Sequence, residues 1–404
     1  MTTTETHITT PLFRFIIWLV GVSFVLFQFF LQLSSGVIIG RIMHDMSLSA
    51  LTAGLLSSSF YFIYTALQIP VGMMFDRKNT RLLLSYNAFL CSIGCLIFAN
   101  STGLVGLFIG RTIIGAGSAF AFVGFSHVLR QYFPAKHFAF MIGFSETLAF
   151  IATAIGIVGM GEFIAHWGWR TFTDGAAVMG VLVAYLCWRV IPNSTQHPGK
   201  SQFKQSFVAI LSNYPMWLNG FFVGLSFSVV TVFGALWAVP FIQVKLGCSM
   251  EKASIVGAVY FIGTGLSCPL FGVLSNHVKH RKRLILTSCL TTACLLLLLL
   301  FVPITNLAIV IPLMFMIGLF CGAYMLSYTI SNELAPPQLQ STAMGFTNTL
   351  AVLSALILQP FVGYLLVMFN QTGIYTVTDY QYALLVVPLS LLLASLLVLF
   401  LPEK

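Results

Sequence analysis

The sequence predicts an all-α integral membrane protein of about twelve transmembrane helices, arranged as two pseudo-symmetric six-helix halves. Three observations point there. Hydrophobic residues make up 58% of the 404 and charged residues only 7%, where a soluble domain carries roughly a quarter. Mean hydropathy is +0.96. The apolar residues also fall into runs of spanning length, and a pattern in the fifth run recurs in the eleventh. Water cannot solvate a surface so poor in charge, so the outside must face lipid.

A spanning helix needs about 20 apolar residues, because the hydrocarbon layer is about 30 Å thick and each residue rises about 1.5 Å. Every backbone amide in that layer must bond internally, which leaves helices for runs of this length. The runs fall at roughly 12–40, 48–74, 81–100, 104–130, 138–165, 172–192, 214–244, 250–274, 283–302, 306–331, 340–369 and 379–401. The first lacks a small-residue cleavage pattern and reads as a retained helix, not a signal peptide.

Basic residues in the loops set the orientation. With a cytoplasmic N-terminus, one side collects Arg14, Arg77, Lys78, Arg81, Arg130, Lys136, Arg189, Lys200, Lys204, Lys279, Arg281, Lys282, Arg283 and Lys404. The other side holds only Arg41, Arg170, Lys245 and Lys252. That asymmetry predicts a multi-pass protein of a bacterial inner membrane with both termini inside. It also argues against nucleic acid as a partner despite the +9 net charge, because the bases lie in short loops and form no stripe on a polar domain. Eight cysteines form no disulfide or metal framework, and Cys91 and Cys95 read as small core residues. No histidine pair has metal-ligand spacing with acids, so neither a metal nor a cofactor is expected.

The polar stretch from Pro192 to about Gln205 divides the runs six and six. The expected organisation is an N-terminal half at 1–192, a cytoplasmic linker at 193–213 and a C-terminal half at 214–404. Gly143-Phe144, followed by Thr147-Leu148-Ala149, recurs as Gly345-Phe346 followed by Thr349-Leu350-Ala351, an offset of 202. Gly72 matches Gly272 at an offset of 200. Two landmarks at nearly one offset indicate a duplicated unit, and parallel halves of this kind place a substrate site at their interface.

The loop after the second run reads Gly72-Met73-Met74-Phe75-Asp76-Arg77-Lys78-Asn79-Thr80-Arg81. It resembles the signature of the major facilitator superfamily between helices two and three: a Gly, an Asp–Arg pair, then a Gly and bases. Asn79 stands where that family usually has Gly, and Asn tolerates the left-handed backbone better than most residues. Thr80 replaces one basic position. In the fourth run, Arg111, Gly115, Gly117 and Ala119 match the family's arginine followed by small residues, with Ile114 at the customary polar position. The resemblance implies a monomeric secondary transporter that moves a small molecule by rocking two halves. It also implies a cavity lined by helices one, four, seven and ten. Drug exporters of the family often carry a Gly-Pro step in helix five. Here Gly156 is followed by Ile157, and Met160 precedes Gly161, which favours import by proton symport over export. The competing readings are a proton-coupled exporter of a metabolite or drug, and a non-transporting membrane sensor. The sensor reading wants a sizeable soluble segment, and the termini are short. Nothing resembles a phosphate-cradling loop, and no nucleophile–base pair lies at membrane depth, so no enzyme is expected.

The signature loop reads as a conformational latch built on Gly72, Asp76, Arg77 and Arg81, with Arg130 as a candidate partner for Asp76. In the second half, Asn276 and His277 occupy the matching positions, leaving Glu333 to face the Lys279–Arg283 cluster. Alternatively these charges only fix topology. Inside hydrocarbon each charge costs roughly 2.5–3.5 kcal/mol and needs an explanation. Glu146 is a candidate proton-coupling site, or the acid of a structural pair with Arg130 or another base. Arg111 is a contact for an anionic substrate, which would favour an organic anion as cargo, or a hub for backbone carbonyls. Gln28 with Gln32, and Tyr324 with Tyr328, repeat at i and i+4. Together with Asn348, the repeat mate of Glu146, they are candidates for substrate contacts or for interhelical glue. Asn219 and Tyr260 read as glue.

Overall fold

The computed structural model describes residues 10–48, 50–193, 208–278, 280–370 and 375–402. Most of the linker expected at 193–213 lies outside them, as do Lys200, Lys204, Lys279, Lys404 and the side chains of Arg41 and of Ile157 to Gly161.

Eleven helices among the described residues are long and apolar enough to cross a membrane. The first half consists of α1 (Pro11–Asp45), α2 (Ala50–Phe75), α3 (Thr80–Asn100), α4 (Leu104–Tyr132) and a long run, Phe138–Val190. Gly168 breaks that run with φ +78°, a conformation that L side chains rarely adopt, and separates α5 (138–167) from α6 (169–190). The second half consists of α7 (Tyr214–Leu246), α8 (Met250–His277), α9 (Arg281–Phe301), α10 (Leu307–Leu334), α11 (Gln340–Phe369) and α12 (Val377–Leu399). The helix outside the eleven is α2, whose 26 residues still reach about 39 Å at about 1.5 Å each.

Local side chains start several helices. Thr10 accepts the Phe13 amide ahead of Pro11 at the first helical position of α1. Asn79 accepts the Arg81 amide at 3.0 Å and caps α3. Its φ is −63°, so the left-handed backbone anticipated there is absent. The asparagine serves as a cap instead.

Two helices depart from α geometry beside the centre of the bundle. Val229–Trp237 within α7 is a π-helix, and Cys321–Met325 within α10 is a 3₁₀ turn. Such departures leave carbonyls short of helical partners. Side chains from neighbouring helices supply donors: the Tyr260 hydroxyl to the Val229 carbonyl at 3.0 Å, and Gln359 Nε2 to the Thr231 carbonyl at 2.7 Å. Neither irregularity is foreseen from hydropathy.

The halves meet along α2 with α11 and along α5 with α8. Both crossings are held at backbone contact by glycines. Gly72 lies against Ser341 and Gly345 against Gln68, while Gly143 lies against Cys268 and Gly272 against Ala139. These pairs map onto one another through the repeat offsets of 200 and 202, so one interface is built twice. Lipid offers no hydrophobic drive between helices, so close van der Waals approach of small residues supplies the cohesion. Outside, large apolar side chains such as Phe62, Val105, Val178 and Leu389 stand more than half exposed, as a lipid-facing surface requires.

Replacing Gly345 with Val forces a branched side chain into the α2 backbone at Gln68. The expected cost is about 1–3 kcal/mol, seen as a lower unfolding temperature of the purified protein. Gly103→Ala, where an added Cβ meets nothing, leaves that temperature unchanged.

Candidate functional site

A cavity lies between the halves. Helices α1, α2, α4 and α5 line it from one side and α7, α8, α10 and α11 from the other, a wider set than one, four, seven and ten. At its deep end Phe122, Glu146, Tyr328 and Asn348 are buried. Toward its other end Thr231 and Gln359 are half-buried and Ala235 is exposed. It therefore opens away from the bundle face that carries Asp76, Arg130 and Glu333, here termed the basic face.

Polar side chains in and behind the wall form two chains of hydrogen bonds. Gln28 Nε2 donates to Gln32 Oε1 at 2.6 Å, and Gln32 Nε2 donates to the Tyr61 hydroxyl at 3.3 Å. Gln28 Oε1 is buried without a partner among the described residues. On the far wall the Tyr328 hydroxyl donates to Asn348 Oδ1 at 3.0 Å, and Asn348 Nδ2 donates to Gln68 Oε1 at 2.9 Å and to the Tyr64 hydroxyl at 3.3 Å. This second chain crosses between the halves. Tyr324 faces Cys268 at 3.6 Å, and its ring packs on Phe227 with centroids 4.8 Å apart.

Glu146 lies in the wall with 6% of its surface exposed and makes no hydrogen bond or ion pair with any described residue. The structural pair with Arg130 is absent, because Arg130 donates to Ser126, Asn332 and Ser341. The repeat places Glu146 and Asn348 in one cavity, yet only Asn348 is bonded. Thr147 beside Glu146 donates to the Gly265 carbonyl at 2.5 Å, which ties α5 to α8 at this level.

Arg111 does not line the central cavity. Its guanidinium donates to the Leu31 carbonyl at 2.9 Å and the Gln32 carbonyl at 3.4 Å, and lies over the Phe60 ring at 4.8 Å. It holds α1 behind the two glutamines, the geometry of a carbonyl hub. Asn219 bonds the Ser327 carbonyl and Tyr260 the Val229 carbonyl, both away from the cavity.

At the basic face, Asp76 does not pair directly with Arg130. Its carboxylate reaches across the halves to the start of α11. Oδ1 accepts the Ser341 amide at 3.0 Å, and Oδ2 accepts the Thr342 amide at 2.8 Å and hydroxyl at 2.6 Å. A carboxylate there satisfies amides that lack helical partners and meets the positive end of the helix dipole. Arg130 Nη2 donates to Ser341 Oγ at 2.6 Å, so acid and base converge on one residue of the opposite half. Burial pushes the Asp76 carboxyl above its ordinary range, opposed by its bonds to Thr342 and Ser341 and by Arg130. Arg81 stacks on Trp188 at 5.1 Å instead of joining this group, and Arg77 is half-buried. Asn276, the repeat mate of Asp76, makes no hydrogen bond with a described residue. Glu333 pairs with Arg281 at 2.6 Å within the second half, at about a third exposure, where such a pair contributes little.

Sequence reasoning missed Tyr61, Tyr64 and Gln68. Their spacing of three and four along α2 marks one helix face and could have shown them. Gln359 gave no such signal, since its partner carbonyl belongs to the π-helix.

Asp76→Ala removes the acceptor from two amides of α11. At about 1–3 kcal/mol for groups left unsatisfied, the arrangement closed at the basic face should lose roughly 5- to 150-fold in population. Spin-label distances between the basic-face ends of α2 and α11 should lengthen, and an unchanged distribution would show that Asp76 holds nothing shut.

Comparison with known proteins agrees with this architecture. A family model described as Major Facilitator Superfamily matches residues 17–360 and 238–404. The probable galactarate/D-glucarate transporter GarP of Escherichia coli K12 is 20% identical over 362 residues, 80% of this chain and 81% of that protein. The probable galactarate/D-glucarate transporter GudP of the same strain is 23% identical over 270 residues, 59% of this chain and 60% of that one. Among solved structures, a variant of the E. coli fucose:proton symporter FucP superposes with a TM-score of 0.70 at 13% identity, covering 96% of this chain and 100% of that one. Helices, repeat, cavity and family match agree: the chain belongs to the major facilitator superfamily.

Proposed function

We propose that this chain is a secondary transporter that carries a small polar solute across a bacterial inner membrane by alternating access, with Glu146 as the proton-coupling group. Family membership and the transporters among its relatives support the transport reading. The cavity between two halves supplies the place, and its amides and hydroxyls suit a polar solute.

The observation that carries the coupling is Glu146 itself: a buried carboxyl in the cavity wall, bonded to no described residue. A carboxylate at that depth is costly without a counter-charge, so taking up a proton removes a large penalty. Proton occupancy then changes which conformation the bundle prefers. The excess of bases on the basic face assigns it to the cytoplasm. The conformation described is then closed to the cytoplasm by the Asp76–α11 contact and open toward the outside.

Reconstituted vesicles test the coupling. With a pH-sensitive dye inside, solutes from a metabolite library that exchange through the wild type should also move protons. Glu146→Gln should show no solute-driven proton movement even at solute concentrations high enough for it still to exchange solute. Proton movement persisting in that variant would remove Glu146 from the coupling role.

A further inference from the structure

We infer that the solute held in this cavity carries a protonated amine and no net negative charge, and that Glu146 receives the amine. This rests on the transporter reading above and adds the charge class of its cargo. Among the described residues Glu146 is the one formally charged side chain in the cavity wall, and no Lys, Arg or His joins it. The nearby intramembrane bases are committed elsewhere, Arg111 to the carbonyls of Leu31 and Gln32 and Arg130 to Ser126, Asn332 and Ser341. An ionised carboxyl in low dielectric needs a partner of opposite charge, and the described chain provides none.

Two further features of the wall favour an ammonium group. Among the described residues Gln28 Oε1 is a buried acceptor without a donor, and an amine N–H is a donor. The rings of Phe122, Phe150, Phe227, Phe261 and Tyr328 also surround the space, and ring faces attract cations. Galactarate or D-glucarate, the cargo named for GarP and GudP, would bring two negative charges to a wall that holds no base to meet them. Unpaired charge in such a space is costly.

Glu146 then holds one positive charge at a time. When the ammonium forms its N–H···O bond, the carboxyl O–H proton leaves to water at the open side. When the amine departs, a proton returns to the same oxygen. No electrons move, and one proton exchanges for one cationic group. The other titratable groups around Glu146 are Tyr61 and Tyr64 on α2, Tyr324 and Tyr328 on α10, and Cys268 on α8. Those types are neutral near pH 7 at their ordinary values, so amine binding should weaken with acidification through Glu146.

The test uses the full chain in lipid nanodiscs with phenethylamine and L-phenylalanine against phenylacetate and galactarate. At least one amine should bind about tenfold more tightly than phenylacetate, in line with a carboxylate and ring faces acting together. Glu146→Gln should erase that preference and Glu146→Asp should keep it, with unfolding temperatures showing that both fold. Binding of the acids in preference, or binding of no amine, overturns the inference. Counterflow in vesicles separates it from the transport reading. Galactarate counterflow would keep the transporter and refute the charge class, whereas a bound amine without counterflow would support the charge class and refute the transporter.

Discussion

A charge buried in hydrocarbon must be met by another charge, by dipoles or by a proton, and this bundle treats its few charges in three different ways. Arg111 is met by carbonyls of α1 and by a ring face. Asp76 and Arg130 are met at the first turn of α11, where unpaired amides and a serine hydroxyl answer both signs. Glu146 is met by nothing in the described chain, and it stands in the wall of the central cavity. The satisfied charges hold helices together. The unsatisfied one is free to engage something that arrives from outside.

The same constraint explains how the halves touch. Apolar surface gains nothing by leaving lipid, so contact between the halves depends on backbones that come close. Four glycines allow it in two related crossings. Across that tight seam only a few polar bonds are made among the described residues, chiefly those from Asp76 and Arg130 and the Asn348–Gln68 pair. A seam with few, localised bonds can part without unfolding either half, which is the physical condition for alternating between two packings.

Duplication built the frame and divergence made its two sides unlike. Gly143 and Gly345 keep equivalent contacts, but the residues three positions on differ: Glu146 on one side and Asn348 on the other. Asn348 closes a hydrogen-bond chain that links the halves. Glu146 leaves its side open. The latch is asymmetric in the same manner, since Asp76 caps a helix of the opposite half while Asn276 does not.

Helix number, the repeat and the prominence of Asp76, Arg111 and Glu146 were legible in the sequence, because hydropathy and the rarity of intramembrane charge are local properties of the chain. The partners were not legible. Asp76 finds Ser341 and Thr342 some 265 residues away, and Arg111 turns to α1 and away from the cavity, because packing decides which donors and acceptors meet. The π-helix of α7 also belongs to packing. By itself the sequence determined a lipid-facing, twice-repeated bundle with a small set of costly charges, since transfer energies follow from composition and order. Only the tertiary structure decided which of those charges is answered within the protein and which is left for a ligand or a proton, since that depends on what lies across each helix in space.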